Sequence, residues 1–177
     1  MANNERPFKP LNLAVLTISD TRTEADDRSG NALVTRLTDA GHNLADKRIV
    51  PDDKYRIRAV VSNWLAGMGP QPVDAILTTG GTGVTGRDGS PEAIRPLLDK
   101  VIDGFGEMFR QLSWDQIGTS TLQSRALAGV ANGRYVFVLP GSPGACALAW
   151  EALISAQLDF RTRPCNLVEL MPRLLEK

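Results

Sequence analysis

The sequence predicts an α/β protein: a three-layer α/β/α sandwich with a mostly parallel central sheet. Three observations predict it. Short apolar runs rich in branched residues alternate with amphipathic helical stretches, and polar or glycine-rich segments follow the C-terminal ends of the runs. The chain has 177 residues, a length that suits one such domain. That domain is expected over 11–177, after a flexible, polar N-terminal arm at 1–10 that lacks the apolar core of a signal peptide.

Residues 11–19 (LNLAVLTIS) form a nearly unbroken apolar run, too short for a good helix, and read as a strand buried on both faces. Residues 20–28 (DTRTEADDR) are too polar to bury themselves and read as a loop leaving that strand. Ser29 is the expected N-cap of a helix through Asp39, with Leu33, Val34 and Leu37 on one face and Gly41 as the stop. His42, directly after that stop, reads as a surface turn residue. Residues 43–50 suit an outer strand, and 51–53 (PDD) lead into a helix carrying Ile57, Val60, Val61, Trp64, Leu65 and Met68.

Residues 67–72 break that helix, and 73–79 (VDAILTT) form a third strand running straight into glycines. Ser90-Pro91-Glu92 opens a helix, with serine at the cap and proline where its missing N–H does no harm. Helical pieces are expected over 91–99, about 105–113 and about 120–129. Residues 135–139 (YVFVL) are another buried strand, 140–144 (PGSPG) a tight turn, and 145–157 an apolar helix. A short helix is expected within 161–177.

Composition removes several function classes. Lys plus Arg and Asp plus Glu are each 20, so no overall positive field recruits nucleic acid or an acidic membrane, and any anion must be bound locally. No apolar stretch reaches the length of a membrane span, and a cytoplasmic location is the default expectation. Cys146 and Cys165 stand apart and fit neither a zinc ligand set nor a disulfide framework. The lone His42 excludes His-rich metal sites and weighs against a Ser-His-Asp hydrolase. Trp64, Trp114 and Trp150 read as core or interface residues, and Arg161 and Arg163 as solvated charges or a subunit contact.

Right-handed crossovers place the loops after parallel strands on one edge: Ser19-Asp20, Pro51-Asp52, 78–88 and 140–144. In 78–83 (TTGGTG), Gly80, Gly81 and Gly83 let backbone N–H groups turn inward with no Cβ in the way, a nest for phosphate oxygens. A tight turn with no ligand is the plainer alternative. Residues 81–86 also satisfy the dinucleotide fingerprint, with Asp103 at the distance of a ribose-binding acid, but the next helix opens only at Pro91. There is no GxxxxGK[ST] phosphate loop. Asp88 and Asp52 suit a hydrated Mg²⁺ beside bound phosphates, and each suits a helix cap equally well. Ser124 and Ser142 offer hydroxyls to a ligand, or to a turn and a helix start.

Taken in order, 17–20 (TISD), 27–30 (DRSG), 78–83, Arg87-Asp88, Pro91-Glu92, 104–107 (GFGE), Ser124-Arg125-Ala126 and 139–143 (LPGSP) resemble the MoaB/MogA family of molybdenum cofactor biosynthesis proteins. Residues 117–132 and 157–166 resemble its MoaB branch in particular. The resemblance implies a molybdopterin-binding fold, assembly as a trimer or hexamer, and molybdopterin as ligand. Catalytic relatives transfer AMP from Mg-ATP to the molybdopterin phosphate and release pyrophosphate before metal insertion, which implies ATP, Mg²⁺ and a molybdenum-insertion enzyme as partners. Carried over residue by residue, Asp52 and Asp88 take the catalytic and Mg²⁺-binding positions. Ser19, Asp20, Thr79, Gly80, Gly81, Thr82, Gly83, Ser124, Gly141 and Ser142 take the substrate-binding ones. Ser90 stands where threonine is common, and Ser142 replaces an asparagine of some relatives. Some MoaB proteins lose the two acids that this chain keeps, which favours catalysis. A non-catalytic molybdopterin carrier beside a separate adenylyltransferase is the alternative, and a nicotinamide-dependent oxidoreductase rests on the fingerprint alone.

Overall fold

A computed structural model describes residues 6–176. Its strands are β1 (Asn12–Ile18), β2 (Asn43–Val50), β3 (Ala75–Thr79), β4 (Lys100–Val101), β5 (Leu127–Ala131) and β6 (Arg134–Leu139). They form one sheet in the order β2-β1-β3-β6-β5-β4. The first four in that order are parallel, and β5 alone is reversed, running antiparallel to both of its neighbours, β6 and β4. Parallel neighbours need crossovers, which the chain supplies as helices α1 (Arg28–Asp39), α2 (Lys54–Leu65), α3 (Ser90–Ile94) and α4 (Asp103–Ile117). After β6 come α5 (Pro143–Ala149), a π-helical segment (Trp150–Ile154), α6 (Ser155–Gln157) and α7 (Leu167–Leu170).

The alternation of side chains along each strand builds two cores. Leu13, Val15, Leu77 and Phe137 pack with Leu33 and Leu37 of α1, Phe109 of α4 and Ala149 of α5. Ala14, Leu16, Ile76 and Val138 face the other way, onto Ile57, Val61 and Trp64 of α2 and Ile94 of α3. Both faces of the sheet are therefore covered. This is the expected three-layer sandwich, and it explains why the central strands read as continuous apolar runs.

Several local expectations are corrected. The helix expected over about 120–129 is instead a 3₁₀ turn (Gly118–Gln123) followed by β5, which joins β6 in a hairpin. Asn132 and Gly133 at its tip have φ of 43° and 73°, the double positive φ of a two-residue hairpin turn. The helix expected over 91–99 stops at Ile94 and tightens into a 3₁₀ turn (Arg95–Leu97) containing Pro96, whose ring disfavours further α-helix. The cap of α1 is Asp27 and not Ser29: the Asp27 carboxylate accepts from Gly30 N at 2.9 Å. Asp27 is fully buried inside the polar 20–28 segment, because the Thr17 hydroxyl donates to it at 2.9 Å and Lys47 Nζ lies 3.0 Å away.

His42 is not a surface residue. It is buried, accepts the Leu11 amide on Nδ1 at 3.2 Å, and sits between Phe8 and Trp150. Burial holds its pKa below the usual histidine value against the opposing pull of Asp159. Of the expected arm at 1–10, residues 1–5 lie outside the described residues. In the described remainder Phe8 rests on His42, while Arg6 and Lys9 lie over the Phe160 ring. Trp64 and Trp150 are core residues, whereas Trp114 is 53% exposed.

Candidate functional site

The C-terminal ends of β2, β1, β3 and β6 share one edge, and their loops meet backbone to backbone. Every residue of β3 is buried, which fixes where the chain enters the glycine loop. Gly80 has φ of 107°, and a Cβ there would fall 2.1 Å from the Ile18 carbonyl oxygen. Its amide donates to Leu139 O at 3.0 Å, and Gly141 packs so closely that a Cβ on it would sit 3.2 Å from Gly80 Cα. Gly81 has φ of 64°; a Cβ there would lie 2.4 Å from Asp52 Oδ2 and 2.3 Å from Ser90 Oγ. Only glycine leaves that cradle open.

Ser90 was expected as a helix cap, but the N-cap of α3 is Gly89. The buried Ser90 hydroxyl instead donates to Gly80 O at 2.7 Å, and the Ser90 amide donates to Gly81 O at 3.0 Å. The helix start therefore supports the glycine loop from beneath.

Neither Asp52 nor Asp88 is a helix cap. Asp53 caps α2, accepting from Tyr55 N and Arg56 N at 2.9 Å each. Asp52 accepts the Gly89 amide on Oδ1 at 3.2 Å, while its own amide donates to Asp20 Oδ1 at 3.3 Å. Burial raises the Asp52 pKa, and the negative charges of Asp88 and Asp20 add to this against the Gly89 amide. Asp88 accepts the Thr85 hydroxyl at 2.6 Å and the Thr85 amide at 2.9 Å. That hydroxyl leads the interactions that hold its carboxyl below the usual range, with the Thr85 and Gly83 amides and the Arg125 charge contributing. Asp20 pairs with Arg87, so three acids from three loops surround the glycine turn.

The donor set fits Mg²⁺. Carboxylate oxygens are the hard ligands this ion takes, and the gathered negative charge favours a cation. Among the described residues no group of three His, Cys, Asp or Glu side chains is arranged to hold a metal. An ion held by Asp52 and Asp88 would complete its shell from phosphate oxygens and water, the habit of Mg²⁺ at phosphate sites.

Two cavities adjoin the loop. One, of 620 Å³, is lined by Asp52, Lys54, Arg56, Arg87, Asp88 and Glu92 among others, a mixture of carboxylates and cations. The other, of 330 Å³, is bounded by Thr82, Gly83, Gln116, Gln123, Ser124 and Ser142, with Phe109 and Leu148 adding apolar wall. A larger hollow of 810 Å³ beside Arg95, Arg110 and Leu122 contains neither acid and no residue of the glycine loop.

The remaining expected site residues take different postures. Ser124 Oγ is buried, with no hydrogen-bond partner among the described residues. The Ser142 hydroxyl caps α5, accepting from Ala145 N at 3.1 Å. Ser19 Oγ accepts from Thr21 N and Arg22 N at 3.3 and 3.2 Å. The Thr79 hydroxyl turns inward, donating to Pro140 O at 2.9 Å beside Cys146 Sγ at 3.2 Å. Burial pushes the Cys146 thiol up to about 11, so it stays protonated at neutral pH. Sequence reasoning gave no role to Arg125, although its guanidinium reaches into the glycine loop.

The sequence profile described as "Probable molybdopterin binding domain" matches residues 14–159, which include all four loops. Over 166 residues the chain is 52% identical to molybdenum cofactor biosynthesis protein B of Escherichia coli (strain K12), covering 94% of this chain and 96% of that protein. The chain belongs to the MoaB/MogA family. A crystal structure of molybdenum cofactor biosynthesis protein B matches with a TM-score of 0.84 at 42% identity, over 97% of this chain and 100% of that one. The tungsten cofactor synthesizing protein MoaB from Pyrococcus furiosus matches with a TM-score of 0.75 at 35% identity, over 83% and 92%. The family's fold accounts for the sheet edge on which the loops meet.

Proposed function

We propose that this chain binds molybdopterin and transfers AMP from Mg-ATP to its phosphate, releasing pyrophosphate. The observation that carries the proposal is the pair Asp52 and Asp88 beside a glycine loop that also borders a second cavity. One space holds acids and cations suited to a metal-bound triphosphate. The other offers amide and hydroxyl groups with apolar walls, suited to a flat heterocycle.

In the reaction a phosphate oxygen of the pterin attacks the α-phosphorus of ATP. A new P–O bond forms while the bond from that phosphorus to the bridging oxygen breaks, and pyrophosphate leaves with the electron pair. No protein nucleophile is needed, which suits a chain with one histidine, itself buried. The task of the protein is orientation and charge neutralisation. The Gly81 and Thr82 amides of the glycine loop would hold phosphate oxygens, since the Gly80 amide is engaged by Leu139 O; Lys54, Arg56 and Arg87 would face the triphosphate, and Asp52 and Asp88 would hold Mg²⁺. The bound ion supplies positive charge against the leaving pyrophosphate.

Membership of the family brings three further proposals: self-association as a trimer or hexamer, hand-over to a molybdenum-insertion enzyme, and a cytoplasmic location. Among the described residues no helix is long and apolar enough to cross a membrane. Incubation with molybdopterin and Mg-ATP tests the activity, and adenylylated pterin with pyrophosphate is the expected product. Tight pterin binding without product, unchanged by Asp88→Asn, would instead identify a carrier serving a separate adenylyltransferase.

A further inference from the structure

Arg125 enters the site from the segment between the 3₁₀ turn at Gly118–Gln123 and β5, on the far side of the glycine loop in sequence. Its Nε donates to Gly83 O at 2.8 Å and to Thr82 O at 3.2 Å, and its Nη2 donates to Asp88 O at 3.2 Å. Its Nη1 pairs with Glu92 of α3, which anchors the fork from the helix side. One guanidinium thus collects three carbonyls from a single loop.

The other ends of those peptide units matter. A planar trans peptide points its N–H away from its C=O, so fixing one end aims the other. The peptide joining Asp88 to Gly89 presents its carbonyl to Arg125 and its N–H to Asp52 Oδ1 at 3.2 Å. Asp88 itself supplies that carbonyl, and Arg125 also holds the Thr82 and Gly83 carbonyls of the same loop. Asp88 lies against Gly83, where a Cβ would come 2.7 Å from Oδ2.

We infer that Arg125 is a positioning residue that sets both acids at once, gripping the carbonyl of Asp88 itself, at one end of a peptide unit whose N–H end holds Asp52, together with the Gly83 backbone on which Asp88 rests. The inference rests on the reading of those two acids as the functional pair. Arg125 need not touch a ligand to act, because its charge is already committed to loop carbonyls and Glu92. A lysine keeps the charge but cannot reach three carbonyls from one planar fork.

The test compares the wild-type chain with Arg125→Lys and Arg125→Met, by hydrogen exchange of individual amides and by Mn²⁺ binding in the presence of ATP. Exchange at Gly89 should accelerate about tenfold or more in both variants, the effect expected from losing a charge-assisted hydrogen bond. Exchange at Leu77 and Val138 in the sheet should be unchanged, and Mn²⁺–ATP affinity should fall about tenfold. Unchanged exchange at Gly89 in Arg125→Met would overturn the inference. So would full restoration by Arg125→Lys, which would show that charge alone suffices, or equal acceleration in the sheet, which would show a general effect on the fold. Exchange needs no substrate. If the Gly89 amide responds as expected while the wild type neither binds Mn²⁺–ATP nor transfers AMP, the positioning role stands and the adenylyl-transfer reading falls.

Discussion

Gly81→Ala tests the cradle beneath the two acids most sharply. At φ of 64° an alanine enters the left-handed region, a cost of about 1–2 kcal/mol. Its Cβ would arrive 2.3 Å from Ser90 Oγ and 2.4 Å from Asp52 Oδ2, so both side chains must move. Moving Ser90 breaks the buried hydrogen bond to Gly80 O, which contributes about 1 kcal/mol more. The sum is about 2–3 kcal/mol, or a melting temperature lower by about 4–12 °C for a chain of this size. Gly86→Ala is the matched control, since an added Cβ there meets nothing within 4 Å and should change stability by under about 0.5 kcal/mol. Thermal and urea unfolding of the two variants supply the comparison, with Mn²⁺–ATP binding as the functional readout. Equal stability and equal binding in the two variants would refute the reasoning that Gly81 is there to leave room for Asp52 and Ser90.

Other perturbations have clear directions. Asp88→Asn removes a carboxylate charge and should lower AMP transfer about 100-fold in a turnover assay, while unfolding changes by less than about 1 kcal/mol because the side chain is only partly buried. Asp27→Asn removes the buried partner of Lys47 and Thr17, and urea unfolding should register a loss of roughly 2–3 kcal/mol. For His42 the folded pKa lies below 6.5. The unfolded chain therefore binds the proton more readily, and stability present above the unfolded value is lost as pH falls through 6.5 towards the folded value. Urea midpoints at several pH values should show that loss, and His42→Gln should flatten this part of the profile.

The central strands and the loop edge were legible because burial on both faces writes unbroken apolar runs at 11–19, 73–79 and 135–139. The glycine loop was legible because positive φ and close backbone approach restrict Gly80 and Gly81 to one residue type. β5 was not, since its small residues Ala128, Gly129 and Ala131 carry no clear period. Its local signal was the Asn132-Gly133 hairpin turn, which fixes a strand on either side. Asp27 was hidden by its polar neighbours, because the burial comes from Thr17 and Lys47, well separated in sequence. Arg125 lies in the matching segment Ser124-Arg125-Ala126, but its role was hidden for the same reason: its carbonyl partners lie about forty residues upstream, and no local pattern marks a fork reaching that far. The two acids were legible as candidates, but only the structure separates them from helix caps, by giving the cap of α2 to Asp53.

The most direct test of adenylyl transfer is the stoichiometry of pyrophosphate release with molybdopterin and Mg-ATP, read alongside adenylylated pterin. One pyrophosphate per adenylylated pterin is expected from the wild-type chain, dependent on both substrates and lost in Asp52→Asn and Asp88→Asn. Saturable pterin binding with no pyrophosphate above the enzyme-free control would contradict the account.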